Sequence, residues 1–389
     1  MARDLGLGHR ELHVGEEAAR LPLADVALGL LVRLRRRGAD GVEAQLARHS
    51  LEVACRHGRI LPVKAVRIHE DGGPEVLRYE DAPDPEPGPG DVLIRLRAAS
   101  LNHLDVWVRK GLPSVPKPRI LGADGAGVVE AVGDEAGDLS PGDRVVINPG
   151  LEHDGRISVV GEHFDGTHAE LIALPASTVY ALPDELGFEE AAAFPLVFET
   201  AYRMLVTRAG LEPGEWVLVW GIGGGLATAA LAIAKALGGR VIVTSRSEAK
   251  LARATELGAD AAVPTADAAA RVKEITEGRG VDVVVEHVGE ATWPTSLAVA
   301  AQGGRVVVCG ATSGPNPPAA LHRIWWKQLT VYGSTMGTKQ DFEGAYELVR
   351  SGRARPVVDA VFPLAEARAA HERLEAGEQL GKIVLRIPE

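Results

Sequence analysis

Cysteine is almost missing from this chain: its 389 residues include only Cys55 and Cys309. Two thiols make at most one bridge, so no disulfide framework is implied, and they cannot build a four-cysteine structural zinc site. That scarcity fits a reducing compartment, and the expected location is the cytoplasm. Cys309 sits in the apolar run Arg305-Val-Val-Val-Cys-Gly310, where a small buried thiol is the ordinary occupant. Basic charge is in deficit as well. Lys and Arg number 42 against 53 Asp and Glu, a formal net charge of −11, so no nucleic-acid or anionic-membrane partner is expected. The acidity is spread along the chain, as on a solvated surface. Long hydrophobic runs are lacking too: no apolar stretch reaches the roughly 18–20 residues that span a bilayer. The nearest, residues 21–32, contains Asp25 and runs into Arg33-Leu-Arg-Arg-Arg37, and no signal peptide is read there. The hydrophobic fraction of 46% belongs to a globular protein with a large core.

Residues 1–62 differ from the rest. They are rich in Arg, Ala, Leu and Glu, with helical apolar spacing at Leu23, Val26, Leu28, Leu30 and Leu31. This stretch is a helical extension, a targeting segment, or upstream sequence read from a misplaced start. Glu11, Glu16, Glu17 and Asp25 argue against a mitochondrial transit peptide, and the misplaced start is preferred, with Val63 as natural initiator. From 63 to 186 short β-type runs (63–68, 92–97, 127–132, 143–147) alternate with Pro-Gly turns, the texture of a compact β-barrel-like domain. From 187 to 337 the period changes. A long helix is expected over 189–205. Strands at 216–220, 240–244, 261–263, 281–286, 305–309 and 329–333 then alternate with helices at 226–237, 247–256 and 268–276. That alternation predicts a parallel sheet covered on both faces. The tail, 338–389, carries helices at 341–350 and 364–374 and strands near 357–362 and 382–387, and is assigned back to the first domain, which is then discontinuous. The fold class is thus α/β, a doubly wound Rossmann sheet plus a discontinuous β-barrel domain.

The strongest local signal is Trp216-Val-Leu-Val-Trp-Gly-Ile-Gly-Gly-Gly-Leu-Ala-Thr-Ala-Ala230. An apolar strand feeds a Gly-rich turn that opens an Ala-rich helix, the context that gives a glycine fingerprint meaning. Read as G-x-x-G-x-x-A it uses Gly221, Gly224 and Ala227; as G-x-G-x-x-G it fails, because position 226 is Leu. Gly221 permits the sharp turn, Gly224 and Gly225 let the backbone approach a pyrophosphate, and Ala227 lets the helix pack on the strand. Free amides at the helix start then face the phosphates. At the end of the next strand an acid would select NAD and a cation NADP. Ser245 stands where the acid would be, with Arg246 and Lys250 close by. NADP(H) is therefore expected over NAD(H).

From Val63 onward, about five-sixths of the chain, the order of motifs resembles the medium-chain dehydrogenase/reductase superfamily. The resemblance rests on Gly72-Gly-Pro-Glu-Val-Leu77, Pro87-Gly-Pro-Gly-Asp-Val-Leu93, Asn102-His-Leu-Asp105, Leu121-Gly-Ala-Asp-Gly-Ala-Gly-Val-Val129, Pro141-Gly-Asp-Arg-Val145, Gly166-Thr-His-Ala-Glu170, the glycine turn and Gly333-Ser-Thr-Met336. It implies a GroES-like catalytic domain, a Rossmann domain, a cleft between them, and a homodimer or homotetramer. The expected cofactor contacts are Thr200, Gly221, Gly224, Gly225, Leu226, Ser245, Arg246, Lys250, Val288, Gly310, Ala311 and Thr312. Zinc alcohol dehydrogenases of this superfamily hold their catalytic metal with a Cys, a His-Glu pair and a second Cys. The corresponding positions here are Asn102, Ala123-Asp124 and Leu196, and the four-cysteine lobe is reduced to residues 151–160. The pattern therefore resembles the zinc-independent quinone oxidoreductase branch, and no metal is expected. Relatives that carry a Tyr two residues after the Asp of Asn-x-x-Asp have Trp107 as their counterpart here, and an indole is no practical proton donor.

Without zinc, a carbonyl oxygen must meet hydrogen-bond donors. Asn102 and His103 are the candidates, with Asp105 orienting one of them or touching the nicotinamide ribose; Asn102 and Asp105 are equally able to tie a loop to backbone amides. His153, His163 and His168 match no ligand spacing and are expected as solvated loop histidines. Trp325-Trp326 is expected in packing or an oligomer contact. The leading function is an NADP(H)-dependent reductase of a quinone or another small conjugated carbonyl. The alternatives are a metal-free alcohol dehydrogenase or enoyl reductase, and a non-catalytic dinucleotide-binding protein.

Overall fold

The computed structural model describes residues 62–388, so the expectations for the leader lie outside the described residues, apart from Pro62. Six parallel strands form one sheet in the order Ala261–Pro264, Arg240–Ser245, Trp216–Val219, Val281–Glu286, Ala300–Val308, Thr330–Gly333. The chain starts at the centre, winds outward, returns and winds the other way, which is the expected doubly wound arrangement. Its central strands read as continuous aliphatic runs because both faces are covered: Val217, Leu218, Val219, Val283, Val284 and Val285 are all fully buried.

A second sheet is built on the long strand Asp91–Ser100. That strand pairs antiparallel with Asp124–Val132, with Leu171–Pro175 and with Lys382–Arg386. Lys382–Arg386 in turn runs parallel to Val358–Pro363. The last strand of the chain thus lies beside one of the first. The segment expected as a shortened lobe is a hairpin, Gly150–His153 with Arg156–Val159. Its Asp154-Gly155 turn has both φ angles positive, 49° and 72°, as a two-residue hairpin turn of the primed type requires. No helix among the described residues is long and apolar enough to cross a membrane.

The helix expected over 189–205 is broken into Phe188–Ala192, Pro195–Tyr202 and a π-helical turn, Arg203–Arg208. Pro195 is the cause. It lacks the N–H that would continue the first helix and suits only the first turn of a new one. His168 also departs from expectation. It is fully buried rather than solvated. Its backbone pairs with Leu121 and Val66, and its ring fills the space that a side chain at Gly122 would need. Burial pushes its pKa down to about 4. His153 is exposed, and His163 Nδ1 accepts the Val159 amide at 3.0 Å.

Candidate active site

A cleft of about 1170 Å³ opens at the C-terminal end of the central strand Trp216–Val219, the switch point where doubly wound sheets take ligands. The glycine turn forms one wall. Gly221 has φ +60°, the left-handed conformation that glycine adopts freely, and its amide donates to Thr244 Oγ1 at 3.1 Å. Gly224 caps the helix Gly225–Ala236. A Cβ added at Gly224 would meet no protein atom within 4 Å, so this position faces open cleft. The first-turn amides of that helix have no intrahelical acceptors and add the positive end of its dipole. Gly225 lines the cleft too, but its missing Cβ makes room for protein: an added one would lie 2.5 Å from Lys382 Cδ.

Of the expected cofactor contacts, Thr200, Gly221, Gly224, Gly225, Leu226, Ser245, Arg246, Lys250, Val288, Gly310 and Thr312 line this one cleft. Ala311 is outside its lining and packs against Gly289 instead. Arg246 is exposed, and no carboxylate among the described residues hydrogen-bonds or ion-pairs with it. Lys250 donates Nζ to Gly377 O at 2.7 Å, and Ser245 Oγ accepts the Ser247 amide at 3.1 Å. Buried Glu286 shapes the opposite wall. It accepts from the Val288 and Gly289 amides and from the Thr292 and Ser296 hydroxyls. Cys309 lines the cleft as a half-buried neutral thiol, its pKa pushed up to about 12 by burial and by nearby Glu286.

The expected catalytic residues sit at the start of the helix His103–Arg109, the helix being one that periodicity did not predict. Asn102 and His103 line the cleft; Asp105 does not. The Asp105 carboxylate is fully engaged, accepting the Asn102 amide at 2.7 Å and the Gly122 amide at 2.9 Å. It therefore orients Asn102 and touches no ligand space. Crowding by the cleft walls, then the charges of His287 and Lys382, hold the His103 pKa below the usual imidazole range. The shift favours the neutral ring, although the residue is exposed on the cleft side.

One residue of the site went unread in the sequence. Lys382, only 3% exposed, donates Nζ to Asn102 Oδ1 at 2.6 Å and to Asp124 Oδ2 at 2.9 Å. Asn102 Nδ2 donates to the same Asp124 oxygen at 2.8 Å, and the Leu196 amide to the other at 2.8 Å. A lysine opening the otherwise aliphatic strand Lys382-Ile-Val-Leu385 was the available signal. Beside this polar cluster the cleft is apolar, lined by Leu101, Leu104, Trp107, Ile157, Leu196 and Met336. Among the described residues no three His, Cys, Asp or Glu side chains converge as a metal-holding group.

Known proteins resemble the chain over most of its described length. The profile of the "Alcohol dehydrogenase GroES-like domain" matches residues 88–184, and that of the "Zinc-binding dehydrogenase" family matches 225–351. A quinone oxidoreductase of Pseudomonas aeruginosa is 36% identical over 334 residues, covering 83% of this chain and 99% of the relative. The chain belongs to the medium-chain dehydrogenase/reductase superfamily. This medium-chain oxidoreductase also resembles the crystal structure of an NAD-dependent alcohol dehydrogenase. That match has 44% identity and a TM-score of 0.81, over 84% of this chain and all of the other. A 2-octenoyl-CoA carboxylase reductase solved with NADP and 2-octenoyl-CoA matches at 28% identity and TM-score 0.77, over 86% and 90% of the two chains.

Proposed function

We propose that this oxidoreductase is an NADP(H)-dependent reductase of quinones or other small conjugated carbonyls that works without zinc. The observation that carries the reading is the continuity of one cleft. It joins a glycine turn, with Arg246 free of any carboxylate among the described residues at its far end, to an apolar recess bordered by Asn102. The residues fit the dinucleotide. The open face at Gly224 and the bare amides after it accept a diphosphate, and the guanidinium of Arg246 suits a 2′-phosphate. When bound, the reduced nicotinamide supplies the hydride. The protein orients the acceptor. Leu104, Trp107 and Leu196 give the recess an apolar wall suited to a flat ring, and Asn102 offers an amide N–H to the oxygen on which charge develops.

The donor set does not fit a zinc ion. Its one carboxylate, Asp124, already carries Lys382 Nζ, the Asn102 amide and the Leu196 N–H, and Ala123 and the Leu196 side chain offer no ligand. Aldehyde reduction is the second reading, favoured by the 44%-identical alcohol dehydrogenase. A panel of benzoquinones, 2-enones and aldehydes, followed by loss of dihydronicotinamide absorbance with NADPH and NADH, tests both. Turnover with quinones and NADPH is expected. Turnover with aldehydes alone selects the second reading, and none with any acceptor rejects both.

Leu321, Trp325 and Trp326 are exposed on the helix Leu321–Trp326, and Val331 is exposed on the strand Thr330–Gly333, an edge of the parallel sheet among the described residues. An apolar patch of this kind supports a homodimer.

A further inference from the structure

Lys382 belongs to the last strand of the chain, and its ammonium is buried between Asn102 and Asp124, both themselves buried. Such a pair is a poor device for stability, because desolvation of two charges cancels most of their attraction. Its place in the molecule points elsewhere. Lys382 borders the cleft together with Asn102, Trp107 and Leu196. Two of its three N–H groups are spent on Asn102 Oδ1 and Asp124 Oδ2, and the third has no acceptor among the described residues. The Asn102 amide likewise spends one N–H on Asp124 and keeps one.

Further contacts fix this arrangement. The Lys382 stem crosses the bare Cα of Gly225, and the Gly381 amide donates to Gly223 O at 2.9 Å. Asp124 is pinned by the Leu196 amide through Oδ1, and its carbonyl accepts from Thr167 Oγ1 at 2.7 Å. An ammonium so held costs no reorganisation when charge appears beside it, the condition under which an oxyanion donor is most effective.

We propose that Lys382 is the electrophile of the reaction. Its remaining N–H, together with that of Asn102, meets the substrate carbonyl oxygen, and Asp124 holds the ammonium in position. The proposal rests on the reductase reading above. The substrate gains a C–H bond from the delivered hydride, and the carbonyl π pair, or the conjugated pair of an enone or quinone, moves onto oxygen; a quinone so reduced then loses the ring C–H proton to solvent as its second oxygen takes one up, giving the hydroquinone. Lys382 passes a proton to that oxygen, forming O–H, and regains one from solvent through the cleft. The substrate is reduced by two electrons, the dinucleotide is oxidised by two, and Asp124 ends as it began.

The test uses p-nitrophenol as an oxyanion probe on the full chain loaded with NADP⁺, its ionisation followed by absorbance. In the unaltered protein the bound probe is expected to ionise at lower pH than free probe. Lys382→Met alone leaves Asp124 buried without a counter-charge, so the informative variant is Lys382→Met with Asp124→Asn, which keeps the site neutral. There the ionisation shift should shrink to what Asn102 and the oxidised cofactor alone provide and kcat should fall by about 100- to 1000-fold, while NADP⁺ affinity and unfolding temperature hold. An equal shift in both proteins overturns the proposal. So does an unchanged shift with lost NADP⁺ affinity, which would assign Lys382 to the cofactor. Failure of the unaltered protein to bind either nucleotide sinks the reductase reading itself, and the proposal with it.

Discussion

Arg246→Ala separates the two nicotinamide cofactors. Arg246 follows the strand Arg240–Ser245, borders the cleft and holds no carboxylate among the described residues. Its removal should therefore leave stability within about 0.5 kcal/mol, as for an ordinary surface change. Lys250 is a poor substitute, because its ammonium already serves Gly377 O and its burial lowers its pKa. A hydrogen bond to a charged group contributes about 1.5–3 kcal/mol, so NADPH affinity should fall by about 10- to 150-fold at 1.4 kcal/mol per decade. NADH has no 2′-phosphate and should be nearly unaffected. The assay is a fluorescence titration, with Trp220, which lines the cleft, as donor to bound dihydronicotinamide. Raising the salt should weaken NADPH more in the parent than in the variant. Equal losses for NADPH and NADH would refute the 2′-phosphate assignment, as would no loss for either. Ser245→Asp is the converse change, bringing a carboxylate to the ribose hydroxyls, and should favour NADH.

Three further outcomes follow from packing and burial. Gly225→Ala sets a methyl 2.5 Å from Lys382 Cδ and 3.2 Å from Val197 Cγ1. Overpacking of this kind costs about 1–3 kcal/mol, more than the ~1 kcal/mol of helix propensity gained. Thermal unfolding should show the loss, and kcat should fall as Lys382 shifts. His168, with an ordinary pKa of 6.5 lowered to about 4 by burial, stabilises the fold above pH 6.5 and loses that contribution as pH falls toward 4. The loss should reach about 2 kcal/mol at pH 5. Urea unfolding at pH 7 and pH 5 should show a smaller loss in His168→Leu than in the parent, the remainder coming from His371 and His287, whose pKa values burial also lowers; identical pH dependence would exclude this histidine as a cause. Trp325→Glu with Trp326→Glu adds two charges to side chains that are 64% and 73% exposed. Sedimentation should find a monomer, and an unchanged oligomer would remove that edge as the contact.

Much of the parallel sheet was legible because its signals are local. Strand, turn and helix follow one another within Trp216–Ala236, and their period and glycines are visible in sequence order. Most expected contacts of the glycine turn and its neighbouring loops reach one cleft for the same reason. What escaped was set by distance along the chain. Lys382 is 280 residues from Asn102, and no pattern links them. Asp105 reads as a site acid from its residue type, yet two backbone amides consume it. His168 looks like a loop residue until a distant strand closes over it. Local chemistry names candidates, and tertiary packing decides which still have a donor or acceptor to spare.

The buried pair permits a sharper test of this last point. If Lys382 and Asp124 form one unit, removing either alone strands the other's charge, and breaking such a pair costs about 3–5 kcal/mol. Lys382→Met and Asp124→Asn should each unfold at markedly lower urea concentration. The double variant removes both charges, and the carboxamide introduced by Asp124→Asn can still accept the Leu196 N–H. It should therefore be far more stable than the sum of the single losses predicts. A coupling of at least about 1–3 kcal/mol is expected for groups in direct contact. Additive losses would mean that solvent reaches the two charges separately, and the low-dielectric setting that makes this ammonium an effective electrophile would not exist. Strong coupling, with cofactor affinity retained in the double variant, would instead show that the charge at Lys382 is costly to bury and unnecessary for holding the nucleotide, leaving the substrate oxygen as the group it serves.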